Sequence, residues 1–216
     1  MGVTIALDRI EILPGQRLCL HDIDWPQLEA ILAELGEKRA TRIASYQNTL
    51  EIRMPLPEHE RLKVILGDLL KILLDHLDME WESLGSTTYK KRSDRAGIEP
   101  DDCFYIRNYR AAVGMKRVDL TQDPPPDLAI EVDLTSKTQI RAYEAIGVPE
   151  VWCCDRHQLK IYLLENGQYQ ASATSATFAN IDVTALFSEF LNPDETKPMS
   201  ERRRDFRQRL QDRYPV

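Results

Sequence analysis

The chain has 216 residues, 43% of them hydrophobic and 29% charged, with 28 Lys/Arg against 35 Asp/Glu for a net charge of −7. That length suits one domain with a sizeable core, and the composition excludes wholesale disorder. The acidic balance excludes a nonspecific nucleic-acid coat, no apolar run approaches the ~18 residues of a membrane span, and MGVTIALDRIEILPG lacks the basic start of a secretory leader, so a cytoplasmic protein without membrane contact is expected.

Thr4–Cys19 is a short alternating run broken by Pro14 and Gly15. Asp24 then caps a helix with Pro26 in its first turn and Leu28, Ile31, Leu32 and Leu35 on one stripe, stopped by Gly36. Thr41–Met54 reads as a hairpin turning at Asn48. Glu58–Leu77 is the strongest helix, with Leu62, Ile65, Leu66, Leu69, Leu70, Leu73 and Leu77 spaced by three and four. Met79–Tyr89 is a predicted strand, Lys90–Glu99 a polar loop, and Asp101–Tyr109 another strand. Pro124–Pro126 imposes an extended lead-in to the strand Asp127–Leu134. Thr135 or Ser136 caps a helix over Lys137–Ile146 that Gly147 ends. Strands follow at Glu150–Asp155, Leu159–Glu165 (turning through Arg156-His157) and Tyr169–Ala173, with Asn166-Gly167 as a hairpin signal. Val183–Phe190 is a short helix, and Met199–Arg213 a charged one with Phe206 and Leu210 on one side. Antiparallel hairpins around one strand–helix–strand crossover predict a mixed α/β layer fold.

Side chains alternate across a strand, so Leu128, Ile130, Val132 and Leu134 share one face of the central strand while Asp127, Ala129, Glu131 and Asp133 share the other. Three carboxylates on one face repel each other and are costly to bury. An exposed sheet face accommodates them, and so does a bound cation. Asp101 opens the preceding strand; if the two strands pair, Asp101 and Glu131 face one pocket. Carboxylates with waters form a hard-oxygen site for Mg²⁺ or Mn²⁺ that suits phosphodiester hydrolysis, with a nearby lysine supplying positive charge. Thr87–Val118 carries eight basic against four acidic residues and Asn192–Val216 seven against five, so an acidic body holds a basic central stretch. That stretch suits local contact with a polyanion, or is a solvated loop. Cys19, Cys103, Cys153 and Cys154 make no CxxC or zinc spacing and are read as buried thiols.

GSTTYKKRSDRAGIEPDDCFYI (Gly85–Ile106), PPDLAIEVDLTSKTQIRAYEAIGVPEVW (Pro125–Trp152) and LEIRMPLPEHERLK (Leu50–Lys63) together resemble the Uma-type family of putative restriction endonucleases, within the PD-(D/E)XK nuclease superfamily. The resemblance covers roughly residues 40–165. It implies a restriction-endonuclease-like core: a mixed central sheet flanked by helices, over residues 41–191, between a strand-and-helix extension at 1–40 and a charged helical tail at 192–216. It also implies Asp101 and Glu131 as metal ligands for Mg²⁺ or Mn²⁺, with DNA as substrate. Asp133, which stands where the superfamily has lysine, is a third candidate ligand. Many family members carry a lysine four residues before the helix tyrosine; that register, relative to Tyr143, holds Gln139. Lys137 and Lys90 are the candidate substitutes for the charge, and Gln139 orients water.

Glu51, Glu58 and Glu60 are further carboxylates that such a site recruits, against plain readings as an exposed ion pair and as helix-dipole partners. Ser86, Thr87 and Lys90 are candidate phosphate contacts. Tyr143 and Trp152 are read as core, His76 and His157 as surface. The leading expectation is a metal-dependent DNA endonuclease acting as a homodimer; the alternative is a catalytically inactive relative that binds nucleic acid or a partner, and a hydrolase of another phosphoester is a third. A lysine reaching the Asp101/Glu131 pocket separates the first two.

Overall fold

The structure is a computed structural model that describes residues 5–36, 39–132, 136–155, 158–191 and 197–215. A 3₁₀ turn at Leu7–Arg9 precedes β1 (Arg17–Leu20). Helix α1 (Trp25–Leu35) starts at Asp24, whose side chain accepts from Gln27 N at 2.9 Å while Gln27 returns the bond, and ends at Gly36 with φ 72°. The hairpin β2 (Arg42–Tyr46) and β3 (Thr49–Arg53) leads into α2 (Pro57–His76), with a proline at its first position. Then come β4 (Glu82–Ser83), β5 (Tyr89–Lys91), β6 (Ala96–Ile98), β7 (Asp102–Tyr105) and the single-turn α3 (Tyr109–Ala112). The crossover is β8 (Leu128–Val132), α4 (Lys137–Ile146) and β9 (Glu150–Asp155); β10 (Gln158–Glu165), β11 (Gln168–Ser172), α5 (Val183–Leu191) and α6 (Met199–Arg213) complete the chain.

The strands form two sheets, β1-β3-β2-β6-β5 and β11-β10-β9-β8-β7-β4. Among the described residues every pairing is antiparallel except β8–β9, joined by α4, as a helical crossover requires. Leu128, Ile130 and Val132 on one face of β8 pack with Phe104, Trp152 and the inner faces of α2, α5 and α6. On the opposite face, Ala129 joins Cys103 and Val151 of its own sheet, Ala44 and Ile98 of the other sheet, and Ala142, Tyr143 and Ile146 of α4. The carboxylate face of β8 therefore points into the layer between the sheets. A third cluster seats Leu28 of α1 on Ile43, Leu50 and Ile52.

Some expectations need correction. Met79–Tyr89 holds only the two-residue β4 and the first residue of β5, and the polar stretch 90–99 is not all loop but contains the rest of β5 and β6. Asp101–Tyr109 is strand only over 102–105. Cys103, Cys153 and Cys154 are buried thiols, whereas Cys19 is exposed. The tail helix buries Phe206 and Leu210 completely in the chain's own core beside α2 and α5, which satisfies its apolar side. The Arg156-His157 turn lies outside the described residues. No helix among the described residues is long and apolar enough to cross a membrane.

Candidate active site

β7 and β8 pair with Asp102 opposite Ile130; one step beyond that ladder, Asp101 N donates to Ile130 O at 3.1 Å and brings Asp101 opposite Glu131. The Asp101 side chain accepts Val132 N at 2.8 Å, which fixes one of its oxygens. Glu131 is fully buried. Its Oε1 accepts from Tyr143 OH at 2.6 Å and its Oε2 from Arg53 Nη2 at 2.6 Å. The same Nη2 lies 3.6 Å from Asp101 Oδ1. Gln139, with its amide oxygen turned to the guanidinium, accepts from Arg53 Nη1 and Nη2 at 3.1 and 3.2 Å. One sheet thus supplies the arginine, the other the carboxylates, and α4 the tyrosine and glutamine. The helix period explains the third contribution: Gln139 and Tyr143 are four residues apart on one helix face, from which they reach Arg53 of β3 and Glu131 of β8.

Burial pushes the Glu131 carboxyl up to about 8, and Asp101 adds to the rise; Arg53 and the Tyr143 hydroxyl pull it back only in part. The Tyr143 phenol is pushed well above its ordinary range by burial and by Glu131. Arg53 is also raised: desolvation lowers it, but Glu131 and Asp101 together outweigh that. The arginine borders an open cavity of about 270 Å³, lined also by Gln16, Arg17, His59, Asp101 and Gln139. Arg17 and Arg42 are Arg53's register partners on the two neighbouring strands, so three arginines stand abreast on one sheet face.

A buried Asp/Glu pair is thus opposed across two core strands, beside one guanidinium and the tyrosine of the crossover helix. The model of the family described as "putative restriction endonuclease" (Uma2) matches residues 25–193. The chain belongs to this family. Among solved structures, four chains match; one is a "putative nuclease belonging to DUF820" from Anabaena variabilis, 14% identical, with a TM-score of 0.45, covering 67% of this chain and 89% of that one. No curated protein matches.

In this Uma2-family chain the EPD and PDLAIEV acids divide into two kinds. Glu99 accepts Ile43 N at 3.2 Å, Thr88 Oγ1 at 2.5 Å and the Arg39 guanidinium, so it ties the motif to β2. Asp127 accepts Ile106 N, Asn108 N and Asn108 Nδ2 at 2.8–2.9 Å and shapes the turn after β7. Only Asp101 and Glu131 converge on Arg53. Glu51 keeps the expected ion pair, with Arg17 at 3.8 Å, but is buried rather than exposed: Ser136 Oγ donates to it at 2.5 Å and in turn accepts Gln139 N, so Glu51 anchors the start of α4. Glu58 is exposed, and Glu60 pairs with Lys63 at 3.7 Å and Arg42 at 3.9 Å; neither reaches the pair. Lys137 is exposed on the wall of a separate cavity, with Tyr46 and Arg141, and does not come to the carboxylates. Lys90 is held by Glu29 at 2.8 Å; with Ser86 and Thr87 it lines a groove of about 980 Å³ together with Arg39, Arg42, Lys116 and Arg117. Asp133 lies outside the described residues.

Sequence reasoning missed Arg53 and assigned Tyr143 to the core alone. LEIRM carried a signal for the first: Leu50, Ile52 and Met54 alternate with Glu51 and Arg53, which puts the acid and the arginine on one face. Families with restriction-endonuclease-like cores generally use divalent metals. Asp101 and Glu131 fit such an ion in donor chemistry, since two carboxylates already share one positive group, the guanidinium, as a stand-in cation. No group of three or more His, Cys, Asp or Glu suited to a metal occurs among the described residues.

Proposed function

We propose that this protein is a DNA endonuclease of the Uma2 family that hydrolyses phosphodiester bonds with Mg²⁺ or Mn²⁺ held by Asp101 and Glu131. The observation that carries the reading is the convergence of these two carboxylates, from separate strands, on one guanidinium at the edge of an open cavity. A divalent cation bound there supplies Lewis acidity toward a phosphoryl oxygen and an acidified water. The protein's own residues do the rest. Val132 N orients Asp101, and Tyr143 holds Glu131 in place by donating to it. Arg53 and Arg17 supply positive charge toward a phosphate in the cavity, the task that a lysine has at the Gln139 register in many relatives. The groove with Ser86, Thr87, Lys90, Lys116 and Arg117 carries the neighbouring backbone. The proposal includes a homodimer, which places two sites for two strands; its interface is not the apolar side of α6, which is already buried, and light scattering that finds a monomer at micromolar concentration removes this part.

The test is incubation of the purified protein with plasmid, linear duplex and single-stranded DNA, with Mg²⁺, Mn²⁺ or chelator. Nicking or linearisation that needs the metal supports the proposal. Absence of turnover on every substrate favours the second reading, an inactive relative that binds nucleic acid. One observation speaks for that reading: both Glu131 oxygens are occupied by protein donors, and the lysine register holds glutamine.

A further inference from the structure

Glu131 gives one oxygen to Arg53 and the other to Tyr143, and it has no exposed surface. Arg53 lines the neighbouring cavity and Glu131 does not, so a cation that enters from there meets the guanidinium before it meets Glu131. We propose that Arg53 is a resident counter-ion that occupies the metal seat, that it must leave Glu131 before a divalent cation binds, and that a substrate phosphate draws it out. Metal and nucleic acid then bind cooperatively. The inference rests on the reading of Asp101 and Glu131 as the ligand pair.

Three features carry it. A divalent ion beside a guanidinium in a buried site meets strong like-charge repulsion, because little solvent screens the two. Arginine cannot resolve that repulsion by losing its proton, so it must move as a cation. It also has somewhere to go: the Arg53 side chain is 19% exposed and already borders the 270 Å³ cavity, where Arg17 from the next strand stands on the same sheet face. A phosphate in that cavity offers the planar fork two acceptor oxygens in place of the Glu131 oxygen it gives up. Ligand coupling is reciprocal, so a phosphate that removes Arg53 strengthens metal binding, and metal strengthens phosphate binding by the same factor.

The experiment measures Mg²⁺ affinity by calorimetry at pH 8, with and without a phosphorothioate duplex, for wild type, Arg53→Met and Asp101→Asn. In parallel, the side-chain Nε–H NMR signal of Arg53, assigned by its loss in Arg53→Lys, is followed in wild type as Mg²⁺ is added. Arg53→Met is expected to bind Mg²⁺ at least tenfold more tightly than wild type without DNA. The duplex should raise the affinity of wild type and leave that of Arg53→Met unchanged, and the Arg53 signal should move as Mg²⁺ saturates. Equal affinities in wild type and Arg53→Met, with binding lost in Asp101→Asn, overturn the inference and leave the ligand pair standing. Mg²⁺ binding that is indifferent to Asp101→Asn, or absent throughout, overturns the ligand pair and the inference together. Should Arg53→Met fail to fold, the wild-type signal decides: an Arg53 resonance that stays fixed while Mg²⁺ binds overturns the inference.

Discussion

At the scale of single residues, the motif acids do two different jobs, and their hydrogen-bond partners separate them. Glu99, Asp127 and Glu150 each accept several donors from a neighbouring loop or strand and act as tethers; Glu150, for example, takes Trp152 Nε1 at 2.6 Å and Thr177 N at 3.0 Å. Glu131 differs in being buried against one arginine and one phenol, with a carboxyl raised from 4.5 to about 8, mainly by burial. The sign of the consequence is definite. Below about pH 4.5 the folded and unfolded states both hold the proton. Between 4.5 and 8 the folded state keeps a proton that the unfolded state releases, so this group's contribution to stability falls as pH rises through that window and levels off above 8. The slope is at most about 1.4 kcal/mol per pH unit. Glu131→Gln carries no such proton, so in chelator its stability relative to wild type should improve steadily from pH 5 to pH 8. Urea midpoints of both proteins at each pH check this, and a constant difference contradicts it. Asp101 and Glu131 were legible in the sequence because the strand alternation and the family motifs both point at them. Arg53 was not, because it lies 78 residues before Glu131 and only the pairing of two separate sheets against α4 brings it there.

Among the elements, the helices were more readable than the short strands. α2 and α4 match their expected spans within a residue because apolar side chains repeat along them at helical spacing, and α6 matches on Phe206 and Leu210 alone. β5 and β6 are three residues each, too short for a period-2 signal, and β5 is an edge strand whose Lys90 and Lys91 look like loop composition. One residue of α2 was also opaque. Gly67 lies in the helix interior, where alanine is favoured by about 1 kcal/mol. Its reason is tertiary: a Cβ there would stand 2.9 Å from Asp102 Oδ2. Asp102 cannot easily yield, since Ser83 Oγ and Cys103 N donate to it at 2.8 and 2.9 Å. Gly67→Ala should therefore destabilise by roughly 1–3 kcal/mol, the usual cost of overpacking, despite the gain in helix propensity. A thermal melt showing a higher Tm for Gly67→Ala would mean that Asp102 moves freely.

Across the whole molecule, the site lies where the two sheets meet α4, and the basic groove lies on the same flank, since Arg42 lines the groove and is the register partner of Arg53. The local excess of positive charge around 87–118 was legible, but its gathering into one wall with Arg39 and Arg42 depends on β2 pairing with β6. In chelator, where no cleavage intervenes, Lys116→Ala/Arg117→Ala should weaken duplex binding and lower the salt slope by about two, one for each lost phosphate contact. The charge-matched control Arg204→Ala/Arg207→Ala, on the exposed side of α6, should leave the slope unchanged; equal effects of both pairs, read by fluorescence anisotropy, would place the DNA elsewhere. The central claim is that the Asp101–Glu131 pair is the hydrolytic centre, and the rate of plasmid nicking by Asp101→Asn in Mg²⁺ or Mn²⁺ tests it most directly. The substitution preserves shape and removes one charge from the pair. The account predicts a wild type that nicks, a variant slower by ~10²-fold or more, as for other transition-state electrostatic partners, and a fold that survives in both. A wild type that cuts and an Asp101→Asn variant that cuts equally fast would contradict it.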